Sequence, residues 1–590
     1  MRVRAIWRER AFDEALAGEL VEKGVSPVIA RLLASRGVSP AEMESFFAPS
    51  LKQLVSPESL PGISDAVAAI VPFVRARRRI VVFGDYDVDG ISACAILVSA
   101  LRRLGAVAEA FIPKRHGEGY GMTDDSLKRL KSENGDVALI VTVDNGIASS
   151  AEISRLKGEG IGVVVTDHHL PPAGAEESPV PDAVALVNPR VRSAPGCDGL
   201  CGAGIAFFLA SALVSALRDD AVAQGLIADG ERLAGPMIVL AGLATIADQM
   251  EVRGQNRVLV SAALEMFNRF APVGLRELLN HAARRAARLT SRDFSFMFAP
   301  RLNAAGRVAE ARLAYELLMS EDREKARDLV VKIDAHNSER KTMEQRMFSE
   351  AMLQAASLEG KGALVVSDAR RPEGTEPWNS GVAGIVAARL MEEYCIPVAV
   401  VVGDPEKGDI TGSARAPGGV NVREALDDAV SALVRHGGHA AAGGFTVKKG
   451  MLDEFERLFC DACARRQAAS PDAAAIPFDA WLAPSDITSE LYDEMHRFEP
   501  FGEGNPEPVF GIRGVTFKDV RVMGMEGRHA SFEFNDKDLA RAVWWGHGAD
   551  VEEIRSHANA RYDILFTLAL SDYGSDRPQP ELRLVDMRPA

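Results

Sequence analysis

Three short apolar segments, each ending in acidic residues, constrain the fold of this chain more than any other feature. The segments are RRRIVVFGDYD (77–87), DVALIVTVDNG (136–146) and IGVVVTDHH (161–169), and helical patterns such as ISACAILVSALRRLG (91–105) separate them. Continuous Val/Ile runs that alternate with helices indicate a buried parallel sheet. Ligands of such sheets bind beyond the carboxyl ends of the strands. We therefore predict a parallel-sheet domain whose acidic residues meet at one edge.

The acidic residues predict a metal site. No Lys or Arg lies inside the acidic motifs DYDVDG (85–90), VDNG (143–146) and DHH (167–169), and converging carboxylates repel one another unless a cation lies among them. Oxygen ligands suit Mg²⁺, and an added histidine favours Mn²⁺. A pair of such ions stabilises both the attacking and the leaving oxygen of a phosphoryl transfer. The expected ligands are Asp85, Asp87, Asp89, Asp144, His168 and Asp248, the last from LATIADQM.

Two glycine-rich segments and an arginine-rich one predict contacts to phosphate. GSARAPGG (412–419) offers Ser413 and Arg415, and GGHAAAGG (437–444) offers Gly438 and His439. Glycine permits close approach and exposes backbone N–H donors, and arginine binds phosphate with two parallel hydrogen bonds. The alternative for the glycine-rich segments is a pair of tight turns. FAPRLNAAGRV (298–308) presents Arg301, Asn303 and Arg307, and its alternative is a helix cap.

Composition bounds the class of protein. The chain has 590 residues, 47% of them hydrophobic and 26% charged, which predicts three or four globular domains. The charged start and the lack of a long apolar run predict a cytoplasmic protein without a membrane partner. Six cysteines suggest no disulfide framework, and Cys460-x-x-Cys463 and Cys197-x-x-x-Cys201 are better explained as structural residues than as zinc ligands.

The net charge of −15 has the wrong sign for binding nucleic acid by bulk electrostatics. A polyanionic substrate would have to meet bound metal and local basic patches, which we expect to line a central passage. The alternative for each patch is a solvated helix face. The candidate patches are Arg75 with Arg77, Arg78 and Arg79; Arg284 and Arg285 with Arg288; and Arg465 with Arg466.

The pattern along the chain predicts an α/β multidomain protein: a parallel-sheet domain, a long connecting helix, a second α/β domain and a C-terminal OB-like β-barrel. The long helix is predicted over 321–356 and a linker over 467–477. The predicted domains are a helical cap (1–75), the parallel-sheet domain (76–270), a helical connector (271–358), the second α/β domain (359–466), and the linker with the barrel (467–590).

These motifs together resemble the DHH phosphoesterase superfamily and, within it, the RecJ family of bacterial single-strand exonucleases. The resemblance spans nearly the whole chain. It depends on GDYDVDG, VDNG, TDHH, the Asp of TIADQM, RLNAAGR, SARAPGG, GGHAAAGG and FEPFGEGNPEP (498–508) in this order.

The resemblance implies a DHH domain and a DHHA1 domain, with the barrel completing a ring around single-stranded DNA. It implies that Asp87, Asp89, Asp144, His168 and Asp248 hold two divalent cations, Mn²⁺ or Mg²⁺, with Asp144 bridging them. Asp85 and Asp167 would act as ligands or support them, and His169 would orient or contact the scissile phosphate. Family members often have a histidine where this chain has Phe83, so either one metal is held more weakly or Asp85 compensates. Ser413, Arg415 and Arg307, with His439 nearby, resemble a pocket for the DNA 5′ end.

The implied function is 5′-to-3′ degradation of single-stranded DNA to 5′-mononucleotides in recombination and repair, together with a RecQ-type helicase and a single-strand binding protein. The alternative is a DHH/DHHA1 phosphodiesterase acting on short oligoribonucleotides or cyclic dinucleotides, which would resemble only the central domains. A pyrophosphatase lacks the Gly-Gly-His pair, and a non-enzymatic scaffold would have lost the ligands. Bases could stack on a few C-terminal aromatic residues, although most should be barrel core. The candidates are Phe498, Phe501, Phe510, Phe517, Trp544 and Trp545.

Overall fold

A computed structural model gives the fold of the chain. It describes residues 6–115, 118, 121–171, 180–282, 289–356, 362–469, 475–524, 527–539, 541–557, 560–571 and 579–590. The chain forms two compact units. Unit 1 contains Met1–Phe12, Ser338–Asp493 and Pro508–Ala590, and unit 2 contains Asp13–Asn337 and Glu494–Glu507.

The strands and helices alternate in the first third of the chain, and strands dominate its last third. The strands are β1 (Trp7–Glu9), β2 (Arg79–Phe83), β3 (Val107–Phe111), β4 (Leu139–Val143), β5 (Gly162–Thr166), β6 (Ala185–Val187), β7 (Leu364–Ser367), β8 (Val398–Val402), β9 (Ile410–Arg415), β10 (Leu433–Gly438), β11 (Ala442–Val447), β12 (Ile476–Phe478), β13 (Ala480–Trp481), β14 (Phe510–Val515), β15 (Phe517–Met523), β16 (His529–Phe534), β17 (Ala542–Trp544), β18 (Tyr562–Ser571) and β19 (Gln579–Pro589). The helices are α1 (Glu14–Glu22), α2 (Pro27–Ser35), α3 (Met43–Phe47), α4 (Ile63–Arg75), α5 (Val88–Arg103), α6 (Asp124–Asn134), α7 (Ser150–Gly158), α8 (Gly202–Ala223), α9 (Ala234–Ala247), α10 (Gly254–Phe270), α11 (Val273–His281), α12 (Ser291–Asp293), α13 (Ala299–Val308), α14 (Arg312–Met319), α15 (Arg323–Ala356), α16 (Ser380–Tyr394), α17 (Val422–Asp428), α18 (Leu452–Ala469), α19 (Ser489–His496) and α20 (Val551–Ser556).

Unit 2 contains a five-stranded sheet in the order β3-β2-β4-β5-β6, with every neighbouring pair parallel. This confirms the predicted parallel sheet. The chain leaves β2 for β3 on one side and returns to β4 on the other, so the topological switch point lies between β2 and β4. In open α/β sheets the crevice at this point binds ligands. The strands β2, β4 and β5, which carry the three acidic motifs, are adjacent to one another.

Apolar helices hold this sheet rigidly. Helix α5 is buried over nearly its whole length, and α8 and α9 pack against it in one large core. Each large aliphatic side chain buried in this way stabilises the fold by about 1.5–3 kcal/mol. The acidic loops therefore extend from a scaffold that has little freedom to move.

Unit 1 contains a five-stranded and a seven-stranded sheet, as the predicted fold class requires. The first has the order β10-β11-β9-β8-β7, and the second, in the C-terminal part, has the order β13-β14-β18-β19-β17-β16-β15. The helix predicted over 321–356 is observed as α15. The predicted linker is shorter than 467–477, because α18 continues to Ala469 and β12 begins at Ile476; residues 470–474 lie outside the described residues.

The segment Glu494–Glu507 belongs to unit 2, although its sequence was predicted to open the last domain. Two buried arginines fix it there. Arg257 donates to the carbonyl oxygens of Phe498, Glu499 and Pro500, and Arg36 donates to Asn505 Oδ1 and to the carbonyl oxygen of Pro506.

The six aromatic candidates for base stacking separate by exposure. Trp545 is 51% exposed and Phe501 is half-buried, whereas the other four are buried. Most of these rings are buried, but Phe498 lies in unit 2, so three of the six belong to the core of the barrel. The buried four are Phe498, Phe510, Phe517 and Trp544.

Among the described residues, no single helix is both long and apolar enough to span a bilayer. Two bent helix pairs, Leu51–Ser59 with Ile63–Arg75 and Gly254–Phe270 with Val273–His281, reach that length and composition only when each pair is taken together.

Candidate active site

The loop after β2 positions three aspartates at the switch point. Asp87 is the N-cap of α5, and its Oδ1 accepts hydrogen bonds from the backbone N–H groups of Asp89 and Gly90 at 3.0 and 3.1 Å. Asp85 is buried, and its Oδ1 has no hydrogen-bond partner among the described residues. A buried carboxylate oxygen without a partner is costly, and a cation would satisfy it.

Asp144 follows β4 directly and lies at the centre of the cluster. Its φ of 62° is in the left-handed region, where a non-glycine residue is strained, and such strain occurs mostly at functional sites. His168 Nε2 lies 3.0 Å from Asp144 Oδ1, 3.8 Å from Asp89 Oδ2 and 3.7 Å from Asp248 Oδ2. One histidine nitrogen thus faces carboxylates from three separate segments.

These side chains form three overlapping groups, each with ligand atoms within 4.8 Å of one another. The structure brings together all six residues that the sequence predicted as metal ligands; we call them the acidic cluster. Its oxygen donors and single imidazole fit hard divalent cations. The groups are Asp85 with Asp87 and Asp144, Asp89 with His168 and Asp248, and Asp144 with His168 and His169.

The electrostatics of the acidic cluster also favour a bound cation. Burial, and then repulsion from neighbouring aspartates, raises the pKa of Asp85, Asp144 and Asp248. Burial lowers the pKa of His168 to about 4, so the imidazole is neutral and has a lone pair to offer a metal.

Asp167 holds the two histidines in place. Its Oδ1 accepts from the backbone N–H groups of His168 and His169 and contacts His169 Nδ1 at 2.8 Å, while Oδ2 accepts from Ile147 N. Burial lowers the pKa of His169, but the contact with Asp167 outweighs it and raises that pKa to about 9. Asp167 belongs to none of the three groups, so it supports the site from behind.

The sequence reasoning missed the N-terminus of α8. The N–H groups of Gly202 and Ala203 donate to Asp89 Oδ2 and Oδ1 at 2.6 and 2.7 Å. A Cβ at Gly202 would lie 2.5 Å from the Cβ of Asp144, so only glycine allows this approach. The signal was the Gly-Ala-Gly run before a long apolar helix, typical of a helix start that packs closely.

The RLNAAGR segment lies inside α13, and Phe298, at the start of the predicted segment, is the N-cap of that helix. Asn303 Oδ1 accepts a hydrogen bond from Val88 N at 3.0 Å, so its side chain holds the start of α5. Arg301 pairs with Asp334 at 2.8 Å. Burial raises the pKa of the Tyr86 hydroxyl, in the loop after β2. Arg307, further along α13, lies close enough to Tyr86 to offset part of this rise.

Unit 1 holds the second predicted set, on β9 and the β10–β11 hairpin. Ser413 and Arg415 alternate with Ala414 on β9, so both side chains lie on one face of the sheet. A Cβ at Gly384 of α16 would lie 2.9 Å from an Arg415 terminal nitrogen and 3.5 Å from Ser413 Oγ. The sequence reasoning also missed Gly384. We call Ser413, Arg415 and Gly384 the β9 site.

Two glycines lie beside Ser413 in the sheet, so no side chain covers the sheet there. Ser413 pairs with Gly444 and Gly444 with Gly437, and a Cβ at either glycine would have no neighbour within 4 Å. Gly438 ends β10 at φ 133°, and His439 begins the hairpin turn. The glycine-rich segment is therefore a hairpin turn, as its alternative predicted, with an open floor that a ligand can approach.

Burial lowers the pKa of Arg415, and no described carboxylate pairs with it. The basic patches are different, because Arg75 pairs with Asp220, and both Arg465 and Arg466 pair with Asp428. Arg284, Arg285 and Arg288 lie outside the described residues. Arg415 therefore carries a positive charge that an anion would neutralise.

The cysteines fit the structural interpretation. Cys197, Cys201 and Cys463 are buried, and no described group that could hold a metal contains a cysteine.

Comparisons with known proteins give one consistent family. Three family models match: "DHH family, N-terminal domain" over residues 79–229, "DHHA1 domain" over 362–465 and "RecJ OB domain" over 478–586. The single-stranded-DNA-specific exonuclease RecJ of Bacillus subtilis is 31% identical over 98% of this chain and 70% of its own length.

Two solved structures cover essentially the whole chain. RecJ of Thermus thermophilus in complex with Mn²⁺ matches with a TM-score of 0.79 and 30% identity, over 100% of this chain and 80% of the other. The same protein in complex with Mg²⁺ matches with a TM-score of 0.72 and 28% identity, over 99% and 78%.

Proposed function

The chain belongs to the RecJ family, and from that premise we propose that it is a metal-dependent exonuclease that degrades single-stranded DNA from its 5′ end. The observation that carries the proposal is the acidic cluster, in which Asp85, Asp144 and His168 converge at the switch point. This arrangement favours the exonuclease over a scaffold, which has no need of such a cluster.

Two divalent cations, Mn²⁺ or Mg²⁺, would be held by the acidic cluster. Asp85, Asp87 and Asp144 would hold one, and Asp89, His168 and Asp248 the other, with Asp144 shared between them. When bound, such a pair supplies Lewis-acid stabilisation of phosphate oxygens and a water activated for attack.

The remaining residues of the site orient the metal ligands and contact the phosphate of the substrate. Gly202 and Ala203 orient the carboxylate of Asp89. Asp167 accepts from Nδ1 of the protonated His169, which orients the ring and leaves the Nε2 N–H to donate to a phosphate oxygen of the substrate.

The β9 site would bind the 5′-terminal phosphate. Ser413 and Arg415 offer a hydroxyl and an unneutralised guanidinium beside the bare floor at Gly444, with Gly438 and His439 in the adjacent hairpin. A pocket that holds the 5′ end fixes which bond is cut, so each cycle would release a 5′-mononucleotide.

The family resemblance carries the wider context of the proposal. It includes a cytoplasmic location, a role in recombination and repair, cooperation with a RecQ-type helicase and a single-strand binding protein, and the domain boundaries predicted from the sequence.

The test is digestion of a 3′-labelled single-stranded oligonucleotide with a 5′-phosphate, in Mg²⁺ or Mn²⁺. We expect stepwise shortening from the 5′ end, release of 5′-mononucleotides, and no reaction in EDTA. The matched duplex should be resistant. Asp144→Ala should be inactive, while Asp125→Asn, an exposed acidic residue, should behave like the wild type.

Two outcomes would overturn the proposal. Untouched DNA with cleavage of short oligoribonucleotides or cyclic dinucleotides would assign the chain to the other DHH/DHHA1 phosphodiesterases. Shortening from the 3′ end would show that degradation runs in the opposite direction. The β9 site would then have no 5′-terminal phosphate to bind.

A further inference from the structure

Phe296 is the most exposed large apolar side chain in the described part of the chain, at 71%. Its neighbours Phe294, Met297 and Phe298 are buried in the core of unit 2. All four lie in a π-helical turn, Phe294–Phe298, between α12 and α13. π-helical turns are rare and occur frequently at functional sites. The exposed ring therefore needs an explanation beyond core packing.

Phe296 belongs to an exposed stripe along this helical run. Residues three or four apart share one face of a helix. At that spacing the exposed or half-buried residues follow one line, whereas most residues between them, such as Leu302 and Ala305, are buried. The stripe consists of Arg292, Phe296, Pro300, Asn303 and Arg307.

The C-terminal end of the stripe lies against the loop of the acidic cluster. Asn303 accepts a hydrogen bond from Val88 N at the start of α5, and a Cβ at Gly306 would lie 2.6 Å from the carbonyl oxygen of Tyr86. Asn303 lies seven positions after Phe296 along the chain. At a rise of 1.5 Å per residue this is about 10 Å, or about three stacked nucleotides at 3.4 Å each.

The charge of the stripe suits a nucleic acid. The Arg292 guanidinium carbon lies 5.2 Å from the centroid of the Phe296 ring. Its contact with Glu507 is long, at 3.9 Å, and the Arg292 side chain is 56% exposed, so this pair competes weakly with a phosphate. Arg307 adds a second cation near the metal loop. An aromatic ring between arginines presents a stacking surface for a base and positive charge for the backbone.

We propose that Phe296 is a base-stacking platform for single-stranded DNA, placed about three nucleotides from the scissile bond on its 3′ side, with Arg292 contacting the adjacent backbone. This inference rests on the proposed function. It adds a substrate contact in the helical run before α13, outside the C-terminal barrel where the sequence predicted stacking.

The experiment compares Phe296→Ala, Phe296→Leu and Phe296→Trp with Val331→Ala, an exposed apolar residue of α15 outside the stripe. Stacking on an aromatic ring predicts that the Ala and Leu variants raise KM for a 12-nucleotide DNA about 5- to 30-fold, with kcat within about 2-fold of the wild type. The Trp variant should retain wild-type KM. All four variants should unfold at the wild-type temperature, because both side chains are exposed.

A scan with single abasic sites locates the contact. In the wild type, KM should rise when the missing base lies about three to five nucleotides from the 5′ end. In Phe296→Ala the same abasic substrates should cause no additional rise, because the stacking partner is already absent.

Three results would overturn the inference: an unchanged KM in Phe296→Ala, full activity in Phe296→Leu, or an abasic effect that persists in Phe296→Ala. A wild-type protein that does not degrade single-stranded DNA would instead overturn the proposed function on which the inference rests.

Discussion

The acidic cluster of unit 2 and the β9 site of unit 1 carry opposite charge imbalances. In the acidic cluster, burial and mutual repulsion raise the pKa of Asp85, Asp144 and Asp248, so ionising these carboxyls together costs free energy that a bound cation offsets. In the β9 site, burial lowers the pKa of Arg415, which has no carboxylate partner among the described residues. One site is therefore built for cations and the other for an anion, the two components that phosphodiester hydrolysis must bring together.

The largest effect should come from Asp144. Asp144→Asn removes the carboxylate common to two of the three ligand groups, and we expect kcat to fall at least about 10³-fold, since metal stabilisation of the transition state is worth several kcal/mol. In EDTA the variant should unfold at a higher temperature than the wild type, because asparagine avoids the free-energy cost of burying a carboxyl whose pKa is raised in the folded state. Steady-state kinetics and thermal unfolding with and without metal check both parts.

The control for this prediction is Asp125→Asn, whose side chain is 70% exposed. It should change neither activity nor the unfolding temperature in EDTA. If Asp144→Asn destabilised the metal-free protein, the picture of a repulsive cluster would be wrong.

Arg415 should show the next largest effect. A hydrogen bond to a charged group is worth about 1.5–3 kcal/mol, so Arg415→Ala should lower kcat/KM for 5′-phosphorylated DNA about 10- to 100-fold. The loss should be much smaller on 5′-hydroxyl DNA, and the dependence of log KM on log salt should become shallower by about one phosphate contact. An equal loss on both substrates would show that Arg415 does not bind the 5′-terminal phosphate.

The two sites also differ in how far the sequence could predict them. Asp85 and Asp144 had to meet because they follow adjacent strands of a parallel sheet, and a Val/Ile run ending in Asp reveals both strand and ligand. The strands β3 and β6 were missed because VAEAF contains a charged residue and no Val/Ile run, and because ALV is only three residues long. Missing these two strands did not affect the predicted site, since both lie outside the β2-β4-β5 group.

Contacts between distant segments could not be predicted. The bond from Gly202 N to Asp89 joins residues 113 positions apart, and no pattern in either segment names its partner. The same holds for Arg257, which fixes Phe498 and its neighbours to unit 2 although their sequence adjoins the barrel. Periodicity identifies the elements, whereas the packing of helix ends decides which of them support the site.

Gly202→Ala should show how rigid the acidic cluster is. The added methyl group would lie 2.9 Å from the Cα of Asp144, where backbone must move, so we expect a loss of about 1–3 kcal/mol in unfolding free energy. Activity should also fall, because Asp89 and Asp144 would separate. Urea unfolding measures the first effect, and unchanged stability would mean that the helix start is more pliable than the packing indicates.

Gly384→Ala should show that the β9 site is more adaptable. Its added methyl group would meet the far end of the Arg415 side chain at 2.9 Å, which can move away. We expect the unfolding free energy to stay within about 0.5 kcal/mol of the wild type, as for most substitutions that spare the core. KM for 5′-phosphorylated DNA should rise about 3- to 10-fold, roughly half to all of one ordinary hydrogen bond. If Gly384→Ala were destabilised but had the wild-type KM, Gly384 would support the fold and not the binding of the 5′-phosphate.

Arg301 should have the smallest effect, because its charge is already neutralised. It was predicted with Arg415 to bind substrate, but it pairs with Asp334 at 2.8 Å. Arg301→Ala should change KM less than about 3-fold and cost about 0.2–1 kcal/mol, the usual worth of a partly exposed pair. Burial raises the pKa of Asp334, but the hydrogen bond and charge of Arg301 lower it more, to a net value below 3.8. The pair therefore stabilises the fold above that pH, and its contribution disappears as the pH falls through the lower folded-state pKa. The difference in unfolding free energy between wild type and Arg301→Ala should accordingly vanish in acid, and a KM effect as large as that of Arg415→Ala would show that ion pairing does not separate the two arginines.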